Sequence, residues 1–303
     1  MKPSHAPAFS LAAALFGAAA PHAAAVADFQ ARTWKISASK SIPYRLFVPR
    51  NYDKTKAYPI VVAMHGAGER GNNNISQLNH AFTNMWADDS IQKDHPAFVL
   101  APQCPANEWW VVSKTFGDYK FEDTPITDNL KAMFGILDSL EREFNIDHAR
   151  EYITGMSMGG AATWYALAYQ PDRFSAAVPV CGGGDTAKAR IFDKIPIWTF
   201  HEVDDPTVPV AFTRHLATAI KAVGGSRFKY TEYPASMGYG HESWKPAGKD
   251  PALHRWLFQQ AKAATVIRVG RVLRRVPGSE VLFRDGLGRV RPHAPATFIR
   301  LFP

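Results

Sequence analysis

One serine of the chain sits where a nucleophile would. In "REYITGMSMGGAATWYALAY" a strand-like run enters Gly155-Met156-Ser157-Met158-Gly159 and a helix-like run leaves it. In that setting the G-x-S-x-G spacing has chemical meaning. The serine occupies a sharp, strained strand-to-helix turn, and the flanking glycines let the two elements approach closely. A serine hydroxyl is a weak nucleophile at neutral pH. It needs a neutral imidazole to take its proton and a carboxylate to hold that imidazole. After such a turn the acid comes first in the chain and the histidine second. His201, His215, His241, His254 and His293 all follow Ser157. His215 and His254 lie in segments of helical period, His201 precedes the paired aspartates Asp204 and Asp205, and His293 lies in a stretch with no period. His241 remains, in the glycine-flanked loop "SMGYGHESW".

The acid is less determined. "HEVDDPTVP" places Asp204 and Asp205 side by side, and Asp185 ends the earlier stretch "CGGGD". Pro206 biases Asp205 towards extended backbone and limits where its carboxylate can point. Glu202, in the same stretch, reads as a solvated side chain. Acyl transfer also needs two N–H donors for the oxyanion. Met158, directly after the serine, supplies one. The strand-like run "VVAMHGAGERG" ends in His65-Gly66-Ala67-Gly68 and supplies the other, from Ala67 in preference to Gly66. Removing one such donor costs about 2.7–4 kcal/mol of transition-state stabilisation. Trp109 and Trp110, after "APQCPANE", read equally well as an aromatic wall of a substrate pocket or as core. Trp244 reads as packing that fixes the histidine loop. No cofactor or metal is expected: His201-Glu202 and His241-Glu242 each lack the second histidine of H-E-x-x-H. Neither C-x-x-C nor G-x-x-x-x-G-K-[ST] occurs.

These residues need a frame. Apolar runs at Pro59–Met64, Ala97–Pro102, Glu151–Thr154, Ala176–Val180, Ile195–Phe200 and Arg227–Tyr233 read as strands. Most are apolar on both faces, as buried parallel strands are. Between them, Leu130, Phe134, Leu137 and Leu140 share helical spacing behind Thr127 as N-cap. Phe212, Leu216, Ile220 and Val223 form a second stripe that stops at Gly224-Gly225. Strand and helix in alternation predict an α/β fold, a mostly parallel sheet with helices on both faces. "TWKIS" and "YRLFVP" read as an antiparallel lead-in. Each candidate site residue then falls at the carboxyl end of a strand, where such sheets gather their active groups.

The 303 residues, 46% of them hydrophobic, suffice for one large core. Residues 1–27 read as an export signal: Lys2 is the basic start, Phe9 to Ala20 the apolar run, and Ala25-Val26-Ala27 the cleavage site. That run is too short to span a membrane. Export implies an oxidising compartment in which Cys104 and Cys181 could pair. The net charge of +8 is concentrated after residue 263, where eight arginines face Glu280 and Asp285. This Arg-rich extension, 264–303, reads as irregular. The body, 28–263, is close to neutral and carries no nucleic-acid signature.

Taken together, "YRLFVPRNYDKTKAYPIVVAMHGAGERG", "LAPQCP", "YITGMSMGGAATW", "FHEVDDPTVPV" and "GYGHESW" resemble the secreted α/β-hydrolase esterases related to feruloyl esterases and polyhydroxyalkanoate depolymerases. They also resemble dienelactone-hydrolase and prolyl-oligopeptidase-type catalytic domains. The resemblance covers about Phe29 to Ala263. It implies an α/β-hydrolase fold and a serine carboxylesterase with Ser157 and His241 as catalytic residues, acting on a small-molecule or polymeric ester. The family pattern, aligned on His201 and Val208-Pro209, puts the acid on Asp205 and a glycine where this chain has Glu202. The alternatives are a prolyl-oligopeptidase-type serine peptidase and a non-catalytic carbohydrate-binding module on the same fold. The first lacks a propeller-sized companion domain, and the second has no need of a triad.

Overall fold

The run Tyr58–Met64 is buried at every position, as a strand covered on both faces must be. It forms β3, and its side chains divide with period two. Ile60, Val62 and Met64 enter one apolar cluster, Val61 and Ala63 another. Truncating Ile60 or Val62 to Ala should therefore cost about 2–5 kcal/mol, through lost transfer energy plus the cavity left behind. The computed structural model of the chain describes residues 24–112 and 119–263. Most of the expected leader and the Arg-rich extension lie outside those residues. Of the leader, Ala24 is buried and donates its N–H to Asp88 Oδ1 at 2.6 Å.

Eight strands form one sheet: β1 (Gln30–Lys35), β2 (Ser41–Phe47), β3 (Tyr58–Met64), β4 (Phe98–Pro102), β5 (Ile146–Met156), β6 (Ala176–Val180), β7 (Ile197–Glu202) and β8 (Phe228–Tyr233). Their spatial order is β1-β2-β4-β3-β5-β6-β7-β8. β2 runs antiparallel to β1 and β4, and every other pair is parallel. The expected lead-in is thus present, with β2 starting earlier than the sequence suggests. β5 is longer than expected because Ile146 pairs with Tyr58 ahead of a register shift. Met64 pairs with Gly155 and Met156 with Val180, so β3, β5 and β6 end together at one edge.

Between the strands run the helices Asp128–Glu143, Met158–Tyr169 and Val210–Ala222. Thr127 caps the first, its hydroxyl oxygen accepting the Leu130 N–H, which satisfies one of the orphan donors of a helix start. Gly225, with φ 68, takes up the left-handed turn after the third. Among the described residues no helix is long and apolar enough to cross a membrane.

The two cysteines do not pair. Both are free and buried, Cys104 after β4 and Cys181 after β6. In the sheet β3 and β5 stand between those strands. Three strand spacings of about 4.8 Å exceed by far the Cα separation, at most about 7 Å, that a disulfide allows.

Candidate active site

Ser157 follows β5 with φ 54 and ψ −118, in the left-handed region that side chains rarely adopt. The turn is tight enough to forbid side chains on either flank. A Cβ on Gly155 would stand 2.2 Å from Gly159 O, and one on Gly159 would stand 2.1 Å from Met64 O. The glycines of the motif are therefore required by backbone contact, and their absence of side chains presses the helix onto the sheet. The strained backbone leaves the hydroxyl at the head of the helix Met158–Tyr169.

Three loops converge on it. His241 Nε2 lies 2.8 Å from Ser157 Oγ, and His241 Nδ1 lies 2.7 Å from Asp205 Oδ2. With Nδ1–H donated to the carboxylate, the Nε2 lone pair faces the serine hydroxyl. Asp205 comes from the β7 loop and His241 from the β8 loop. Asp205 Oδ1 accepts the N–H groups of Thr207 and Val208, at 2.8 and 2.9 Å, so the loop folds around its own carboxylate. Burial pushes the Asp205 pKa up, but hydrogen bonds from His201, His241 and the Val208 N–H outweigh it and hold the group well below the usual carboxylate range. Asp204 is exposed. Asp185 instead caps the turn Thr186–Lys188 and accepts the Phe121 N–H.

The turn after β3 closes the other side. Gly66 is extended, and Ala67 opens a single 3-10 turn, Ala67–Glu69. Ala67 and Met158 are both first residues of their helical turns, positions whose N–H groups have no acceptor within the helix. The turn abuts Ser157: a Cβ on Gly66 would lie 3.7 Å from Ser157 Cβ. His65 braces the turn from below. Its Nε2 accepts the Cys104 N–H at 2.9 Å, so Nδ1 carries the hydrogen and donates to Gly66 O at 2.6 Å. Burial lowers the His65 pKa to about 4, keeping the ring neutral. Arg70 Nε donates to Ala67 O at 2.8 Å.

A cleft of about 320 Å³ opens over Ser157 and His241, walled by Ala67, Glu69, His80, Thr207, Glu242 and Trp244 among others. Trp109 and Trp110 are not in that wall. Trp110 is fully buried against the His65 ring, 5.3 Å between centroids. Trp109 lies under the Arg70 guanidinium, 4.1 Å from the ring centroid. The pair supports the Ala67 turn from behind, because "EWW" follows β4 on the far side of His65. Trp244 meets His241 edge-on at 5.3 Å and so both fixes that loop and lines the cleft. Glu69 and His80, hydrogen-bonded at 3.0 Å, were not foreseen. Glu69 lies within "HGAGERG" and was legible by its place there, whereas nothing marks His80.

Glu202 departs from expectation most. It is fully buried rather than solvated. The ladder between β7 and β8 extends to Glu202 opposite Tyr233, which draws the residue inside the sheet. Its carboxyl oxygens accept the Tyr239 N–H at 3.0 and 3.1 Å, and its own N–H is donated to Ser243 Oγ at 3.0 Å.

Comparison with known proteins matches residues 37–204 to a family described as "Putative esterase". The match takes in Ser157 and the Ala67 turn and ends just before Asp205. A protein named "Probable feruloyl esterase C" from Aspergillus flavus is 28% identical over 192 residues, 63% of this chain and 65% of that one. The chain spans 56% of the length of the Aspergillus terreus protein of the same name, so it covers less than two thirds of either. Among solved structures, a thermostable esterase is 42% identical with a TM-score of 0.73, over 78% of this chain and 64% of that one. A feruloyl esterase module from Clostridium thermocellum, complexed with sinapinate, shares the fold at 17% identity and a TM-score of 0.52, over 76% of this chain and 85% of that one.

Proposed function

Because the chain belongs to the esterase family over residues 37–204, we propose that it hydrolyses carboxylic esters through Ser157, His241 and Asp205. The observation that carries this reading is the unbroken hydrogen-bonded chain from Ser157 Oγ through His241 to Asp205 Oδ2. Ser157 Oγ attacks the ester carbonyl and passes its proton to His241 Nε2. Asp205, held ionised, stabilises the imidazolium that forms. The carbonyl oxygen takes up negative charge against the N–H groups of Met158 and Ala67. As the tetrahedral species collapses, His241 returns the proton to the leaving alkoxide and an acyl-serine remains. Water, deprotonated by His241, then attacks the acyl carbon; the acyl–Oγ bond breaks, His241 returns the proton to Ser157 Oγ, and the carboxylic acid leaves.

The cleft of about 320 Å³ is at the small end of ligand pockets, enough for one acyl group. With the feruloyl esterases among the relatives, this favours an aromatic or short acyl group on a sugar or other hydroxylated alcohol, ahead of a polyester chain. Residues 1–27 support export to the periplasm or beyond.

A fluorophosphonate probe tests the reading directly, since only an activated serine reacts. It should label Ser157 alone, and Ser157→Ala should abolish both labelling and p-nitrophenyl acetate turnover. Substantial turnover left in Ser157→Ala would sink the assignment.

A further inference from the structure

The loop that carries His241 is one that needs holding. From Pro234 to Gly238 the chain is exposed, and Gly238 and Gly240 take φ 69 and 53. Its regular structure amounts to two single turns, Ala235–Met237 and Gly240–Glu242. Left-handed glycines leave such a segment many alternatives, and few buried contacts oppose them. Yet the imidazole must stay within hydrogen-bond reach of both Ser157 and Asp205.

Glu202 supplies the restraint. Its carboxyl group takes the N–H of Tyr239, two residues before His241. Its own N–H goes to the hydroxyl of Ser243, two residues after. Ser243, like Glu202, is fully buried, so water does not compete for either bond. The anchor is rigid, because Glu202 belongs to the β7–β8 ladder and follows His201, which is bonded to Asp205. Adjacent residues of one strand end therefore fix the acid and the base in relation to each other. A glycine at this position has no side-chain acceptor, and the Tyr239 N–H would be left to the solvent. Burying a carboxyl group is costly, and here the cost secures the geometry of His241. We infer that Glu202 is a positioning residue: it clamps both flanks of His241 and sets the imidazole between Ser157 and Asp205. This rests on the reading of Ser157 as nucleophile.

Two variants separate position from charge. Glu202→Ala removes the acceptor for Tyr239, whereas Glu202→Gln keeps an oxygen of the same reach. Glu202→Ala should lower kcat on p-nitrophenyl acetate by about 10- to 100-fold, the scale of a small misplacement of reacting groups. KM should stay near the wild-type value, and fluorophosphonate labelling should slow in parallel. Hydrogen exchange in the peptide containing Tyr239 should accelerate. Glu202→Gln should restore most of kcat and the slow exchange. Wild-type kcat in Glu202→Ala, or a Gln variant as slow as Ala, would overturn the proposal. If Glu202→Ala fails to fold, as its thermal transition would show, Ser243→Ala opens the other side of the clamp. That variant should lose kcat in the same direction, and wild-type kcat there would equally overturn the idea. Wild-type protein that neither hydrolyses esters nor takes the label would refute the esterase reading instead. The exchange comparison would still report whether Glu202 orders the loop.

Discussion

His201 donates through Nε2 to Asp205 Oδ2 at 3.0 Å, on the same oxygen that receives His241 Nδ1 at 2.7 Å. Two imidazoles thus share one carboxylate oxygen, while two backbone N–H groups occupy the other. His201 is itself held by Thr213, whose hydroxyl lies 2.7 Å from Nδ1. The carboxylate is fixed in direction from four sides, and each of those bonds favours its charged form. An acid held this way orients His241 without competing for its proton.

Asp205→Asn should therefore be severe. It puts an amide where an ionised oxygen receives Nδ1–H, and the tautomer that leaves Nε2 free is no longer enforced. A fall in kcat of about 10⁴-fold on p-nitrophenyl acetate is expected, the scale seen for the same change in other serine triads. Asp204→Asn, at an exposed position, should leave kcat unchanged. The reverse order of effects would transfer the role to Asp204.

The pH profile should have a simple acid limb. Asp205 is held ionised far below neutrality, so it adds no ionisation to the working range and the acid limb reports a single essential base. kcat/KM is expected to rise with pH along a single ionisation. A limb of slope two on logarithmic axes would require a second essential group and contradict this assignment.

How much of this was legible depended on whether backbone or side-chain packing decides the outcome. Ser157, its glycines and the strand before it were readable because backbone contact enforces them: Gly159 has no room for a Cβ beside Met64 O. Thr127 and the stripe behind it were readable from capping and period. Asp205 needed the resemblance, since Asp204 and Asp205 differ only in which way the loop turns. That turn is made by Asp205 Oδ1 gathering Thr207 and Val208. Glu202 and the tryptophans were misread or left open because burial is set by distant parts of the chain. Trp110 is covered by His65, 45 positions earlier in the chain, and Glu202 by a β8 pairing that no local pattern announces.

His65 predicts how the fold responds to acid. Its pKa is about 4 in the folded protein, against 6.5 for the free side chain. Between those values the unfolded chain binds a proton that the folded chain does not, so stability falls as pH falls through that window. Across the whole window the loss amounts to about 3 kcal/mol. His65→Asn keeps a donor for Gly66 O but does not titrate. Denaturation of both proteins at pH 7 and pH 4.5 should show the wild type losing more stability on acidification. Equal losses would mean that His65 already titrates normally in the folded state.

The cleft predicts a preference of charge. Glu69 is 8% exposed and lines the wall beside Ser157. Burial raises its pKa, but the hydrogen bond from His80, the fields of His80 and His65 and a backbone hydrogen bond together more than offset this, so it lies below its usual range and is ionised at neutral pH. A Cβ on Gly66 would stand 3.0 Å from Glu69 Oε2 and 3.7 Å from Ser157 Cβ, so this negative charge lies within one side chain's width of Ser157. Glu242 adds a second carboxylate to the wall, paired with Lys245 at 2.6 Å. Among the described residues no lysine or arginine lines the cleft. An acyl group ending in a carboxylate would meet Glu69 at short range, where like charges repel by about 1–3 kcal/mol at an effective dielectric constant near 20. Such an ester should show a kcat/KM lower by about tenfold or more than its uncharged methyl-ester analogue. The gap should narrow in Glu69→Gln and at high ionic strength, which screens the repulsion. Equal rates for the two esters in the wild type would show that the acyl group lies against a different wall.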